Sequence, residues 1–216
     1  MKSIFLLGLL LASVFFAIAQ QDPKAKQILD EMSEKTRSYE SIAADFVFSL
    51  ENKEMDISEK NEGSIKLKDQ KYVVDLPALG VKVFSDGETL WNYMKDGNQV
   101  TISNIEDGGN ELMDPSSIFT IYEKGFQSKF MGEKVSGNST AYQIELYPDS
   151  GEYDVSKILL SIGKSDKMIK SALLYGTDGN VYGIIVKKMD TDTNLPDSFF
   201  VFNTNDYGDL EVIDFR

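Results

Sequence analysis

Val81-Lys82-Val83-Phe84-Ser85-Asp86-Gly87-Glu88-Thr89-Leu90-Trp91-Asn92-Tyr93-Met94 is the stretch from which the fold is read. Val81 and Val83 flank Lys82, and this period of two belongs to a strand with one buried face. Asp86-Gly87 then supplies hairpin-turn chemistry, because glycine accepts the positive φ that tight hairpins need. Thr89 to Met94 runs on to a second Asp-Gly pair at 96–97, so it is a strand between two turns, the repeating unit of an antiparallel meander.

The same period extends in both directions. Phe46, Phe48 and Leu50 alternate with Asp45, Val47 and Ser49, Ile65 and Leu67 alternate with Lys66 and Lys68, and Tyr72, Val74 and Leu76 continue the series. Further Asp-Gly pairs stand at 107–108 and 178–179. Beyond residue 125, strands are predicted around Ala141–Tyr147, Ser156–Ile162, Ile169–Tyr175, Val181–Lys188, Ser198–Asn203 and Leu210–Phe215. Two segments change period. Asp22-Pro23 reads as an N-cap with Pro at the first helical position, and Ala25, Ile28, Leu29 and Met32 then follow helical spacing, which predicts a helix over 23–38. Asp114-Pro115 repeats that signal and Gly125 supplies a stop; between them Ile118, Phe119, Ile121 and Tyr122 make a short helix with almost no polar face. The reading is one antiparallel sheet, long enough to curl, with a helix at its start and another mid-chain. Such a sheet is either filled by its own side chains or capped over a cavity.

The chain opens with Lys2, an apolar run from Ile4 to Ile18, and Ala17-Ile18-Ala19, the parts of a secretory signal peptide cleaved after Ala19. A membrane anchor would need about 20 apolar residues. Residues 20–216 are then expected to form a single exported domain. With no cysteine, that domain has neither a lipid-modified Cys nor disulfides, so burial must hold it together. A net charge of −13 argues against nucleic acid and against docking on an anionic membrane.

The chain contains no histidine either, which removes Ser-His triads, Cys nucleophiles and most zinc sites. Asp190-Thr191-Asp192-Thr193-Asn194 opens like a calcium loop, but Leu195 and Val201 stand where its Gly and bidentate Glu belong, so it reads as a solvated acidic hairpin. Paired carboxylates for glycoside hydrolysis lack a distinctive setting, and Asn138-Ser139-Thr140, a three-residue glycosylation pattern, reads as a loop. This inventory favours a binding protein over an enzyme, with no cofactor and no metal.

Ser85-Asp86-Gly87-Glu88-Thr89-Leu90-Trp91-Asn92-Tyr93 resembles the S-D-G-x-T-L-W-x-Y strand and turn of the LolA outer-membrane lipoprotein carriers. The leader, the first helix, the Phe46–Leu50 strand, Gly63-Ser64-Ile65-Lys66-Leu67, the apolar helix after Pro115, Phe200-Val201-Phe202 and Val212-Ile213-Asp214 follow in the family's order. The resemblance covers nearly all of the chain after the leader. It implies an unclosed antiparallel β-barrel under an α-helical lid. The implied function is periplasmic: acyl chains of lipoproteins are taken from an inner-membrane ABC transporter and handed to an outer-membrane acceptor, with no bond made or broken. The acceptor is a related fold anchored by a lipidated Cys, which this chain lacks. One departure stands out. Where the family pattern carries an Arg that ties lid to barrel, this chain has Lys68-Asp69-Gln70-Lys71-Tyr72, with Asp69 at the Arg position and Lys68 and Lys71 the nearest cations.

The implied lipid cavity is lined by Tyr72, Val74, Val83 and Leu90 along the strands. Phe46, Phe48, Ile65, Leu67 and Trp91 join them from neighbouring positions, and Ile118, Phe119, Ile121 and Tyr122 close it from the lid. A monomer is expected, since a shuttle must diffuse. Three alternatives stay open: a carrier of another amphiphile such as a glycolipid or lipid-linked precursor, a periplasmic lipoprotein sensor, and a carboxylate-dependent hydrolase. The residues lining the pocket separate the last from the others.

Overall fold

The computed structural model describes residues 21–105, 122, 125–151 and 153–216. The signal-peptide reading, the third Asp-Gly pair, and Ile118, Phe119 and Ile121 of the lid reading lie outside these residues.

Helix α1 spans Pro23–Arg37. Asp22 starts it: its Oδ1 accepts from the backbone N–H of Lys24 at 2.8 Å and of Ala25 at 3.2 Å, which satisfies donors a helix leaves open. The other carboxylate oxygen accepts from Phe130 N–H at 3.0 Å, so the cap also ties the helix to the edge of the sheet. These hydrogen bonds, that from Phe130 foremost, hold the Asp22 carboxyl below its usual range.

The strands follow. β1 is Ile42–Asn52, β2 Ile57–Lys68, β3 Lys71–Leu76, β4 Val81–Ser85, β5 Thr89–Met94 and β6 Gln99–Asn104. After the mid-chain segment come β7 Phe126–Ser136, β8 Ser139–Pro148, β9 Val155–Gly163, β10 Ile169–Gly176, β11 Val181–Thr191 and β12 Glu211–Asp214. They form one sheet of 12 strands in the order β12-β6-β5-β4-β3-β2-β1-β11-β10-β9-β8-β7, whose two ends do not pair. The fold is mostly β, as the alternation predicts, and unclosed, as the resemblance implies. The opening hairpin is built as its residues dictate: Asp86 Oδ1 accepts from Glu88 and Thr89 N–H at 3.0 and 2.8 Å, and Gly87 takes φ 95°.

Two expectations are corrected. The closing strand β12 pairs with β6 in parallel, Val212 beside Val100, so the sheet is antiparallel except at that edge. Ser198–Asn203 is not a strand: Asp197–Phe200 is a 3-10 turn followed by irregular chain. The alternation of Phe200 and Phe202 reflects two rings inserted into one apolar cluster, and packing of that kind overrides intrinsic β preference.

Pairing registers define the two faces, because directly paired residues point the same way. Ile144, Leu160, Ala172, Ile184 and Phe48 form one row across β8, β9, β10, β11 and β1. Ala25, Ile28, Leu29 and Met32 of α1 pack against the first three of these residues, so we call this the inner face. The row Lys66, Val73, Phe84, Trp91, Ile102 crosses β2 to β6 on the opposite, outer face.

The C-terminal segment seals the outer face. Phe200 and Phe202 are buried with Val73, Phe84, Trp91, Val100 and Ile102, Phe202 stacks on Tyr207 with centroids 4.6 Å apart, and Asn98 Nδ2 donates to Gly208 O at 2.7 Å. Aromatic area of this size dominates local packing energy.

Candidate functional site

Two rows of residues cross the inner face of β1 to β6. One reads Ile42, Leu67, Tyr72, Ser85, Leu90, Ser103; the other reads Ala44, Ile65, Val74, Val83, Asn92, Thr101. Phe46 and Phe48 continue the same face of β1, opposite Gly63 and Asn61. A Cβ built on Gly63 would lie 2.8 Å from Cζ of Phe46 and 2.7 Å from Cδ2 of Leu76. The missing side chain is what lets the Phe46 ring lie flat on the sheet.

Eight of the predicted cavity residues therefore share one face: Phe46, Phe48, Ile65, Leu67, Tyr72, Val74, Val83 and Leu90. Ile65, Val74, Val83 and Leu90 are half-buried, packed beside a buried cluster of Ile42, Leu67, Tyr72 and Met168. Trp91 is a correction. It follows Leu90 directly in the strand, so it must point the other way, and it lies 8% exposed on the outer face in the cluster that holds Phe200 and Phe202. Tyr122 is described and buried, but it joins the cluster under α1, with its hydroxyl 3.3 Å from Asp30 Oδ1. Sequence reading missed Met168 and Met189 on this face. Met168, just before β10, and Met189, in β11, are distant in sequence from the meander, and only the 12-strand order brings them beside it.

The charge on this face is as telling as its apolarity. Lys60, Lys66, Lys68, Lys71 and Lys82, all the cations within β1 to β6, occupy outer-face registers. On the inner face of these strands Glu59 is the one charged residue, exposed at the end of β2 opposite Leu50. Among the described residues no group of three or more His, Cys, Asp or Glu could hold a metal ion. The acidic 190–194 segment has other work: Asp192 Oδ1 accepts from Glu40 N–H at 2.9 Å, and Ser41 Oγ donates to Thr193 O at 2.6 Å, tying the end of β11 to the approach to β1.

Lys68 and Lys71 are committed elsewhere too. Their Nζ atoms lie 3.2 and 2.8 Å from the Asp197 carboxylate, and Lys68 Nζ also donates to Leu195 O at 3.0 Å. They clasp the C-terminal segment on the outer face, while Asp69 turns the β2–β3 hairpin with φ 54°. Lys71, then Lys68, hold the Asp197 carboxyl below its usual range. A depressed carboxylate stabilises the fold above its unfolded pKa of about 3.9 and loses that contribution as pH falls through the folded value. Asp197→Asn should thus melt below the parent at pH 7, and the gap should close below about pH 4. Thermal unfolding of both proteins across pH checks this; a gap independent of pH contradicts the clasp.

An uncharacterized protein of Methanocaldococcus jannaschii is 26% identical over 210 residues, 93% of this chain; the chain spans 58% of that relative's length. The crystal structure of an uncharacterized conserved protein from Thermus thermophilus superposes with TM-score 0.59 at 16% identity, covering 88% of this chain and 99% of that one. A putative outer-membrane lipoprotein-sorting protein domain from Vibrio parahaemolyticus gives TM-score 0.49 at 12% identity over 84% of this chain and 97% of its own. Residues 37–203 match the family model described as outer membrane lipoprotein carrier protein LolA. An unclosed sheet whose outer face at β3 to β6 is packed by the C-terminal segment, and whose inner face at β1 to β6 carries no Lys or Arg, thus accompanies a match over most of the length, and the chain belongs to the LolA lipoprotein carrier family.

Proposed function

We propose that this chain is an exported, monomeric carrier that holds the acyl chains of lipoproteins against the inner face of β1 to β6. In this reading residues 1–19 are a signal peptide, and residues 20–216 work in the periplasm. Cargo comes from an inner-membrane ABC transporter and passes to an outer-membrane acceptor. The observation that carries the proposal is the inner face itself. Ile65, Val74, Val83 and Leu90 are half-buried on it, and no Lys or Arg of these six strands points to it. An acyl chain gains about 0.8 kcal/mol for each CH₂ that leaves water, so a surface of this kind holds chains without chemistry. Ile118, Phe119 and Ile121 are proposed to close over the cargo from the lid.

The test is a pull-down with an acylated lipoprotein and its non-acylated form. Capture of the acylated form alone is the expected result; equal capture, or none, rejects the proposal. The engagement of Lys68 and Lys71 by Asp197, in place of a latch to the lid, favours one second reading. Under it the same face carries another amphiphile, such as a glycolipid or a lipid-linked precursor.

A further inference from the structure

The inner face is not uniformly apolar. At its β5–β6 end the two rows finish in Asn92 and Thr101, paired directly across the strands, and in Ser103, paired with Leu90. Side chains paired this way stand about 5 Å apart, and diagonal neighbours about 7 Å. Asn92, Thr101 and Ser103 thus form one corner, which offers an amide and two hydroxyls. All three are half-buried, and none of their side chains hydrogen-bonds to another described residue. Beside them, Val83 and Leu90 open the apolar part of the face. Polar groups set at the margin of an apolar site fix the orientation of a ligand and provide its specificity.

The corner is also uncharged. Lys82, which neighbours Val83 in sequence, points outward toward Asp75, with Nζ 3.5 Å from its carboxylate. A phosphate brought onto the inner face of these strands would meet no Lys or Arg of β1 to β6, and an unpaired charge is costly to desolvate. Ester carbonyls and free hydroxyls carry no such cost and can use all three groups, since an amide and two hydroxyls both donate and accept.

We infer that Asn92, Thr101 and Ser103 recognise the uncharged acylglycerol linkage of the cargo, placing its chains on Val74, Val83 and Leu90 and rejecting lipids whose phosphate adjoins the chains. The inference rests on the proposed acyl-carrier function and adds an orientation and a headgroup preference to it. The same linkage occurs in a free diacylglycerol and in the diacylglyceryl-cysteine of a lipoprotein, so both sources fit the corner.

The test uses four probes on the parent and on the double variant Asn92→Leu, Thr101→Val, each verified as folded by circular dichroism. Pyrenyl-hexadecane has no polar group and reports the apolar face alone. Dioleoylglycerol and a diacylglyceryl-cysteine peptide compete against it as the two sources of the linkage, and dioleoylphosphatidic acid competes as the phosphate-bearing counterpart. In the parent, the diacylglycerol and the lipopeptide should displace the alkane probe at concentrations at least tenfold lower than the phosphatidic acid. The tighter of the two names the source. In the double variant both should weaken about tenfold, the loss expected from two neutral hydrogen bonds, while pyrenyl-hexadecane binds as before. Unchanged affinity for both in the variant, or phosphatidic acid binding as well as diacylglycerol, overturns the inference and leaves the carrier reading standing. Failure of pyrenyl-hexadecane to bind the parent overturns both.

Discussion

Val83→Glu should reduce acyl-chain capture about a hundredfold while the sheet remains folded. Val83 sits mid-row between Val74 and Asn92 on the inner face and is only half-buried. A carboxylate there can reach water in the empty protein, and the fold tolerates it. When a chain fills the face that carboxylate loses its water with no Lys or Arg of β1 to β6 to meet it, and desolvation of an unpaired charge costs several kcal/mol. About 3 kcal/mol of this corresponds to the hundredfold loss. Lys82→Glu is the matching control, because Lys82 precedes Val83 but points outward. Displacement of a fluorescent fatty acid reads both affinities. If Val83→Glu binds as the parent does, or Lys82→Glu loses as much, chains do not lie on this face.

The second large effect concerns the seal on the other side. Phe200 is 0% exposed, the anchor of the C-terminal segment among Val73, Phe84, Val100 and Ile102. Truncating a fully buried Phe removes its transfer energy and leaves a cavity, which together cost about 3–5 kcal/mol. For a domain of this size that lowers the unfolding midpoint by roughly 10 °C. Phe200→Ala should show such a drop by circular dichroism, yet still capture acyl chains well below the transition, since the ring lies on the outer face. A drop under about 1 kcal/mol would mean that the segment does not seal the sheet.

How far the sequence carried depends on the range over which each interaction acts. Alternation and Asp-Gly turns are local, so the meander from Phe46 to Asn104 was legible, and with it the shared face of Tyr72, Val74, Val83 and Leu90. The same rule excludes Trp91 from that face, because adjacent residues in a strand point apart; the family-like motif groups it with Leu90, and the pleat separates them. Interactions between distant segments were not legible. Asp197 reaches Lys68 and Lys71 from across the chain, and nothing local to the β2–β3 hairpin points to it. Phe200 and Phe202 carry a strand-like period because both enter one cluster from an irregular segment. The parallel pairing of β12 with β6 likewise depends on where the C-terminal segment is led by its aromatic packing. The packing of α1 on the β8–β10 half of the inner face needs the full strand order to be seen.

Cargo chains are proposed to lie on the inner face of β1 to β6, and site-specific photocrosslinking reads their position. A benzophenone side chain would be placed singly at Val74 or Val83 on the inner face, and at Lys82 or Ile185 on the outer face. Each protein would then be irradiated with a radiolabelled diacylated lipopeptide. Adducts are expected from positions 74 and 83 and none from 82 or 185. Adducts at the outer positions, or none at any of the four, would contradict this placement.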